Sequence, residues 1–240
     1  MRIHSSDTCI YCGGQASERE HVPPRSLLER PFHQNLATLP ACSKCNRGFS
    51  LDEEYFIVLL SQIGTSRSLQ DRIVEGGSVD RALERNHNLD DRITSALYPD
   101  EGGRVMIQPE IDRVNRVIRK IILGLYVLRY GQVPPLDSVV GVEAYPYNID
   151  EMRPADAFVA THTERFQPKR WKAVQKGIFS YIFVRTDKSS SHYCCVVDLH
   201  ANIWGVGYVP IPKQKFSRHA TAAGQLELPL ETNKKANKSK

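Results

Sequence analysis

CIYCGGQASEREHVPPRSLLERPFHQNLATLPACSKCN, residues 9–46, gathers four cysteines, a Glu-His pair and two asparagines into 38 positions. The cysteines form two Cys-x-x-Cys pairs, Cys9/Cys12 and Cys42/Cys45. Each pair can close a tight knuckle, and two knuckles supply four thiolates in a tetrahedron, the donor set of a structural zinc site with no open position. The 29 residues between Cys12 and Cys42 exceed the ~15–20 of the usual zinc pattern. Zinc would then clamp the ends of an inserted unit that carries Glu20, His21 and Asn35, with Asn46 directly after the fourth thiol.

Composition says what kind of molecule carries this stretch. A chain of 240 residues, 41% apolar and 25% charged, can bury a hydrophobic core and is neither disordered throughout nor fibrous. Residues 1–20 are polar, and no run approaches the ~18 apolar residues of a membrane span. The expectation is a cytoplasmic protein with reduced thiols and no membrane partner, the setting in which paired Cys-x-x-Cys reads as metal binding. The net charge of +5 is concentrated at the end, where residues 211–240 carry seven Lys or Arg against Glu227 and Glu231. Such a tail either adds non-specific nucleic-acid affinity through counterion release or is a solvated, disordered end.

Working outward, Ser50 and Glu53 have capping-box spacing, which predicts a helix start there with Tyr55, Phe56, Leu59 and Leu60 on its apolar face. Residues 62–103 read as short helices, around 69–74 and 79–85, and loops, with turns at Gly76-Gly77 and Gly102-Gly103. From Pro109 to Arg129, Ile111, Val114, Ile118, Ile121, Ile122, Leu125 and Leu128 recur at helical spacing and predict the core helix. Its other face, Arg113, Arg116, Arg119 and Lys120, is either solvated or lines a phosphate backbone. Segments 177–185, 193–199 and 203–211 are rich in aromatic and β-branched residues and predict strands of a small antiparallel sheet. Cys194 and Cys195 are neighbours in one of them, so they point to opposite faces and read as buried structural thiols. The fold class is α+β, with a zinc-bearing unit over 1–62, a helical and sheet region over 63–212 and a basic tail over 213–240.

The ordered pieces Glu20-His21-Val22-Pro23, Asn35-Leu36 and Cys42-Ser43-Lys44-Cys45-Asn46 resemble the HNH endonuclease family, whose ββα-metal unit often sits on a zinc knuckle. The resemblance covers residues 9–56. It implies that His21 is the general base that takes a proton from water, a task suited to an imidazole. It implies that Asn46 and Glu20 ligate a catalytic Mg²⁺ or Mn²⁺ that clamps the scissile phosphate. Asn35 would hold the loop and His21 in place, and Zn²⁺ on Cys9, Cys12, Cys42 and Cys45 would be structural. Arg25, Lys44 and Arg47 flank the motif and could position phosphates. His33 reads as a solvated loop residue.

The resemblance implies hydrolysis of phosphodiester bonds in DNA, with RNA as the other substrate, in the manner of bacterial restriction, mobile-element or anti-phage nucleases. A homodimer would place two sites on two strands. The competing expectation is a zinc ribbon that binds nucleic acid or protein without catalysis. A zinc deaminase would need His-x-Glu and Pro-Cys-x-x-Cys, which the chain lacks: Val22 and Pro23 follow His21, and Ala41 separates Pro40 from Cys42.

Overall fold

The computed structural model describes residues 7–63, 67–103, 105–134, 138–146, 171–185, 189–201 and 203–212. The basic tail expected over 213–240 lies outside them. The four-thiol stretch folds as β1 (Glu18–His21), a 3-10 turn (Arg25–Leu27), β2 (Thr38–Ala41) and α1 (Ser43–Ile63). β1 and β2 are antiparallel, with Glu18 opposite Ala41 and His21 opposite Thr38. Helix α1 begins seven residues before the predicted start. Its first turn is wound by the second knuckle, where the Asn46 N–H bonds the Cys42 carbonyl at 3.0 Å, so the Ser50 cap is unused and Ser50 Oγ donates to the Arg47 carbonyl. The expected apolar face is buried: Tyr55, Phe56, Leu59 and Leu60 are all at 2% exposure or less.

Next come α2 (Arg67–Gln70), α3 (Ser78–Arg85), α4 (His87–Ser95) and a hairpin of β3 (Leu97–Pro99) and β4 (Val105–Ile107). The short helix expected near 79–85 is α3, whereas the one expected over 69–74 is a single turn, α2, that ends at Gln70 and gives way to turns; the hairpin closes around the Gly102-Gly103 turn, and α4 and the two strands are not foreseen by the sequence. Helix α5 (Ile111–Tyr130) follows, ending at Gly131 in the left-handed conformation. The remainder is β5 (Val140–Pro146), β6 (Lys172–Gln175), β7 (Phe179–Val184), β8 (His192–Leu199) and β9 (Ile203–Pro210), one antiparallel sheet in the order β5-β9-β8-β7-β6. The fold is thus mixed helix and sheet, as expected. No helix among the described residues is long and apolar enough to cross a membrane.

Helix α5 lies on the sheet because β9 has no side chain where the helix approaches. A Cβ on Gly205 would stand 2.8 Å from Ile118 Cγ2, and one on Gly207 would stand 2.8 Å from Ile122 Cδ1. Two glycines at strand period leave a channel that two isoleucines at helical period fill. Cys195 is buried in the core shared with α5, and Cys194 is buried in a separate cluster with Ile182, Val196 and Trp204, so the two thiols do face opposite ways. The main buried cluster also takes in Ile10, Leu27 and Phe56, so it runs across the boundary expected after residue 62.

The basic face of α5 corrects an expectation. Asp52 of α1 accepts from Arg113 Nε at 2.7 Å and Arg116 Nε at 2.8 Å. Burial pushes the Asp52 carboxyl up, but the hydrogen bonds and charges of Arg116 and Arg113 outweigh it and hold the group below its usual value. Lys120 is only 3% exposed and pairs with Glu20 and Glu53. Three of the four cations thus fasten helices and strand together; Arg119 is exposed and has no such partner among the described residues.

Candidate functional site

The first knuckle is a tight turn in which the Cys9 N–H bonds the Gly14 carbonyl at 2.8 Å and the Gly13 N–H returns to the Cys9 carbonyl at 2.9 Å. Gly13 sits at φ 75°, a backbone conformation that costs glycine nothing. In the second knuckle the Cys45 N–H donates to Cys42 Sγ at 3.4 Å. That bond, above all, lowers the Cys42 thiol to about 7, which favours the thiolate a metal needs. The Ile10 N–H bond to the Pro40 carbonyl, 3.1 Å, draws the knuckles together. All four sulfurs lie within 4.8 Å of one another, and Cys12 Sγ is 3.7 Å from Cys42 Sγ. Four thiolates at Zn–S ≈ 2.3 Å in a regular tetrahedron stand ~3.8 Å apart, so the cluster is of a size to hold a metal ion.

The neighbouring polar residues follow strand parity. Glu18 and Glu20 share one face of β1. Asn46, on the first turn of α1, donates through Nδ2 to Glu18 Oε2 at 2.6 Å. Glu20, at 7% exposure, instead lies 3.0 Å from Lys120 Nζ. Lys120 also bonds Glu53 and stands 4.9 Å from the Phe49 ring centroid. The carboxylate beside Asn46 is therefore Glu18, where Glu20 was expected. The physical reason is the reach of α5: its one buried lysine takes Glu20, and a buried carboxylate next to an ammonium stays paired with it.

His21 closes β1 on the other parity, beside Arg19, and is half-buried. It makes no hydrogen bond to Glu18 or Asn46. Burial first, and then the Arg25 charge, lower its pKa, so the imidazole is neutral at pH 7. Arg25, Lys44 and Arg47 are exposed as expected of phosphate contacts. Asn35 is exposed as well; its backbone N–H, not its side chain, bonds His33 Nδ1 at 3.2 Å, so His33 has a local structural role.

Beside Arg25 opens a cleft of about 740 Å³ whose lining mixes Phe32 and the arginines Arg30, Arg72, Arg81 and Arg85 with the carboxylates of Glu29, Glu53, Glu54 and Asp71. No match to a family model, a curated protein or a solved structure is found for this chain. The functional reading rests on the geometry above. Sequence reasoning missed the cleft because its arginines come from two segments, 25–30 and 72–85, that nothing local brings together. It missed Glu18 for a smaller reason: the pairing of Glu20 with Lys120 spans 100 positions.

Proposed function

We propose that the chain is a metal-dependent endonuclease of the HNH kind. The observation that carries the reading is the side-chain bond between Asn46, set directly after the fourth thiol, and Glu18 on the strand that ends in His21. It puts a carboxylate and an amide, both hard oxygen donors, at one point on the edge of a strand-strand-helix unit. Zinc on Cys9, Cys12, Cys42 and Cys45 is structural in this reading, since four thiolates leave no position for substrate.

A Mg²⁺ or Mn²⁺ held by Asn46 and Glu18 would supply Lewis-acid stabilisation of the phosphate and of the departing oxygen. Glu20 then serves by pairing with Lys120, which keeps β1 against α5. Neutral His21 takes a proton from water; the water oxygen bonds phosphorus, and the phosphorus–oxygen bond to the leaving sugar breaks. His21 and Asn46 need not touch, because the base acts on the attacking water while an ion held by Asn46 and Glu18 would stabilise charge on the phosphate. Arg25, Lys44 and Arg47 hold flanking phosphates. DNA is the first substrate to try and RNA the second.

The competing reading, a zinc module that binds nucleic acid without cutting it, is favoured by one observation: Lys120 removes Glu20 from the ligand set. A single experiment separates them. Purified protein is incubated with supercoiled plasmid and with RNA, with Mg²⁺ or Mn²⁺, beside His21→Ala, Asn46→Ala and a chelator control. Cleavage by the wild type that falls about 10²–10⁴-fold in His21→Ala supports the nuclease. Equal behaviour of wild type and His21→Ala on both substrates ends it in favour of the binding module.

A further inference from the structure

The loop after β1 is fixed more firmly than a surface loop requires. Four successive carbonyls accept hydrogen bonds from side chains distant in sequence. Arg72 Nη1 reaches Ser26 O at 2.6 Å, His200 Nε2 reaches Leu27 O at 3.0 Å, Arg72 Nη2 reaches Leu28 O at 2.6 Å and Gln175 Nε2 reaches Glu29 O at 3.0 Å. The Glu29 N–H completes the set by donating to Gln175 Oε1 at 2.9 Å. A solvent-facing loop could satisfy these groups with water. Committing a half-buried guanidinium to two carbonyls, with the Glu29 carboxylate acting on it only through its charge, points instead to a loop held in one shape.

That shape presents Phe32 with two guanidinium groups against its ring, Arg25 at 5.4 Å and Arg30 at 5.0 Å from the centroid. Both arginines are exposed and Phe32 is half-buried, at the cleft of about 740 Å³. Guanidinium planes and a phenyl ring stack on nucleobases, and arginines contact phosphates. In a duplex the base faces are covered by their neighbours and cannot reach Phe32. A cleft of this size is in the range that encloses a ligand of nucleotide dimensions.

We propose that the Arg25-Phe32-Arg30 cluster and its cleft bind an unpaired nucleotide of a polynucleotide strand, base against Phe32 and the guanidinium groups, phosphates on the exposed arginines, so that the chain prefers single-stranded or locally unpaired substrate. The proposal takes its substrate class from the nuclease reading and extends it to strand state. Its consequence is that cutting would occur at junctions, flaps or single-stranded regions in preference to plain duplex.

The test is binding without divalent ion, so that catalysis plays no part. Anisotropy titrations of the full chain, in zinc-containing buffer of fixed salt, use a labelled mixed-sequence oligonucleotide as single strand and as duplex. The single strand should bind about tenfold tighter, and Phe32→Leu should remove about tenfold from single-strand affinity while leaving duplex affinity unchanged; Arg30→Gln, which also removes a phosphate contact, should weaken both and the single strand more. Phe32→Leu keeps the apolar contact and Phe32→Tyr should restore binding, so misfolding cannot mimic the result. Equal wild-type affinity for strand and duplex overturns the proposal, as does Phe32→Leu binding single strand like wild type. Binding of a nucleoside monophosphate as tightly as the oligonucleotide overturns it in favour of a small-ligand site. Failure of the nuclease reading looks different: no cleavage with Mg²⁺ or Mn²⁺, yet a Phe32-dependent preference for single strands, which upholds the strand proposal.

Discussion

Gly124 on α5 meets the chain where it leaves β1, and replacing it tests how tightly the two are joined. A Cβ added there would stand 2.7 Å from Val22 Cγ2 and 2.9 Å from Val22 Cγ1. Val22 is 3% exposed and follows His21. In open space Gly124→Ala would stabilise a helix interior by about 1 kcal/mol. Here both methyls of a side chain stiff at χ1 are struck, so one rotamer change does not relieve both contacts; overpacking costs about 1–3 kcal/mol. The net effect is between neutral and about 2 kcal/mol of destabilisation, too broad to decide anything alone. A double-mutant cycle with Val22→Ala isolates the clash, because the propensity gain is present in both arms and cancels. Val22→Ala alone should cost about 2 kcal/mol, and the double variant should be more stable than the sum of the singles by about 1–3 kcal/mol. Denaturant midpoints of the four proteins measure this. Additivity within about 0.5 kcal/mol would refute the argument that Gly124 exists to admit Val22. A nuclease assay on the same variants should show Gly124→Ala losing activity through displaced His21, with Val22→Ala restoring part of it.

Lys120→Met leaves Glu20 and Glu53 buried without a cation and should cost about 3–5 kcal/mol at neutral pH; adding Glu53→Gln should recover part, and denaturation that shows no loss would mean the lysine is dispensable. Arg25→Ala removes one of the two influences that lower the His21 pKa, so the acid limb of the cleavage rate should move to higher pH; an unmoved limb in a pH–rate profile would detach Arg25 from His21. Burial, the largest influence, takes buried His200 down to about 4. Its unfolded-state value is near the ordinary 6.5, so the unfolded chain binds the proton first and stability should fall by up to about 3 kcal/mol as pH drops from 6.5 towards 4; in His200→Asn, which tolerates the φ of 53° there, that part of the pH dependence should disappear from the unfolding curves. Elemental analysis should find about one zinc per chain, lost together with cooperative unfolding of the metal-loaded form in Cys42→Ser; zinc-free native protein would remove the metal from the account.

The core was legible in the sequence because its signals are local periods. Of the seven apolar residues from Ile111 to Leu128 that recur at 3.6, all but the exposed Ile111 are buried or packed against the core, and the runs that became β7, β8 and β9 alternate or stay apolar over strand length, so no distant contact is needed to see them. The start of α1 was misread since Ser50 and Glu53 make a convincing cap in isolation; only the knuckle, which winds the chain from Cys42, explains why the helix is already running there. The arginines of α5 were ambiguous for a different reason. A basic helix face has the same pattern whether it meets water, phosphate or another helix, and its partner Asp52 is 61 and 64 residues away.

Strand parity shows most sharply where sequence reading of the site stops. Glu18 and Glu20 lie on the same face of β1, two residues apart, and parity cannot choose between them. The choice is made by what stands opposite along the strand: the first turn of α1 at Glu18, the buried Lys120 of α5 at Glu20. The first is set by the thiol cluster, since Asn46 follows Cys45 and its N–H is bonded to the Cys42 carbonyl. The second is set by the core, since Lys120 is carried between Val117 and Ile121, both buried. The four-cysteine knuckles and the apolar core therefore act on the same short strand from two ends, one placing a carboxylate against Asn46 and the other neutralising its neighbour. A site divided in this way should be sensitive to either support, so changes at Cys42 and at Gly124 should each lower the proposed activity of His21.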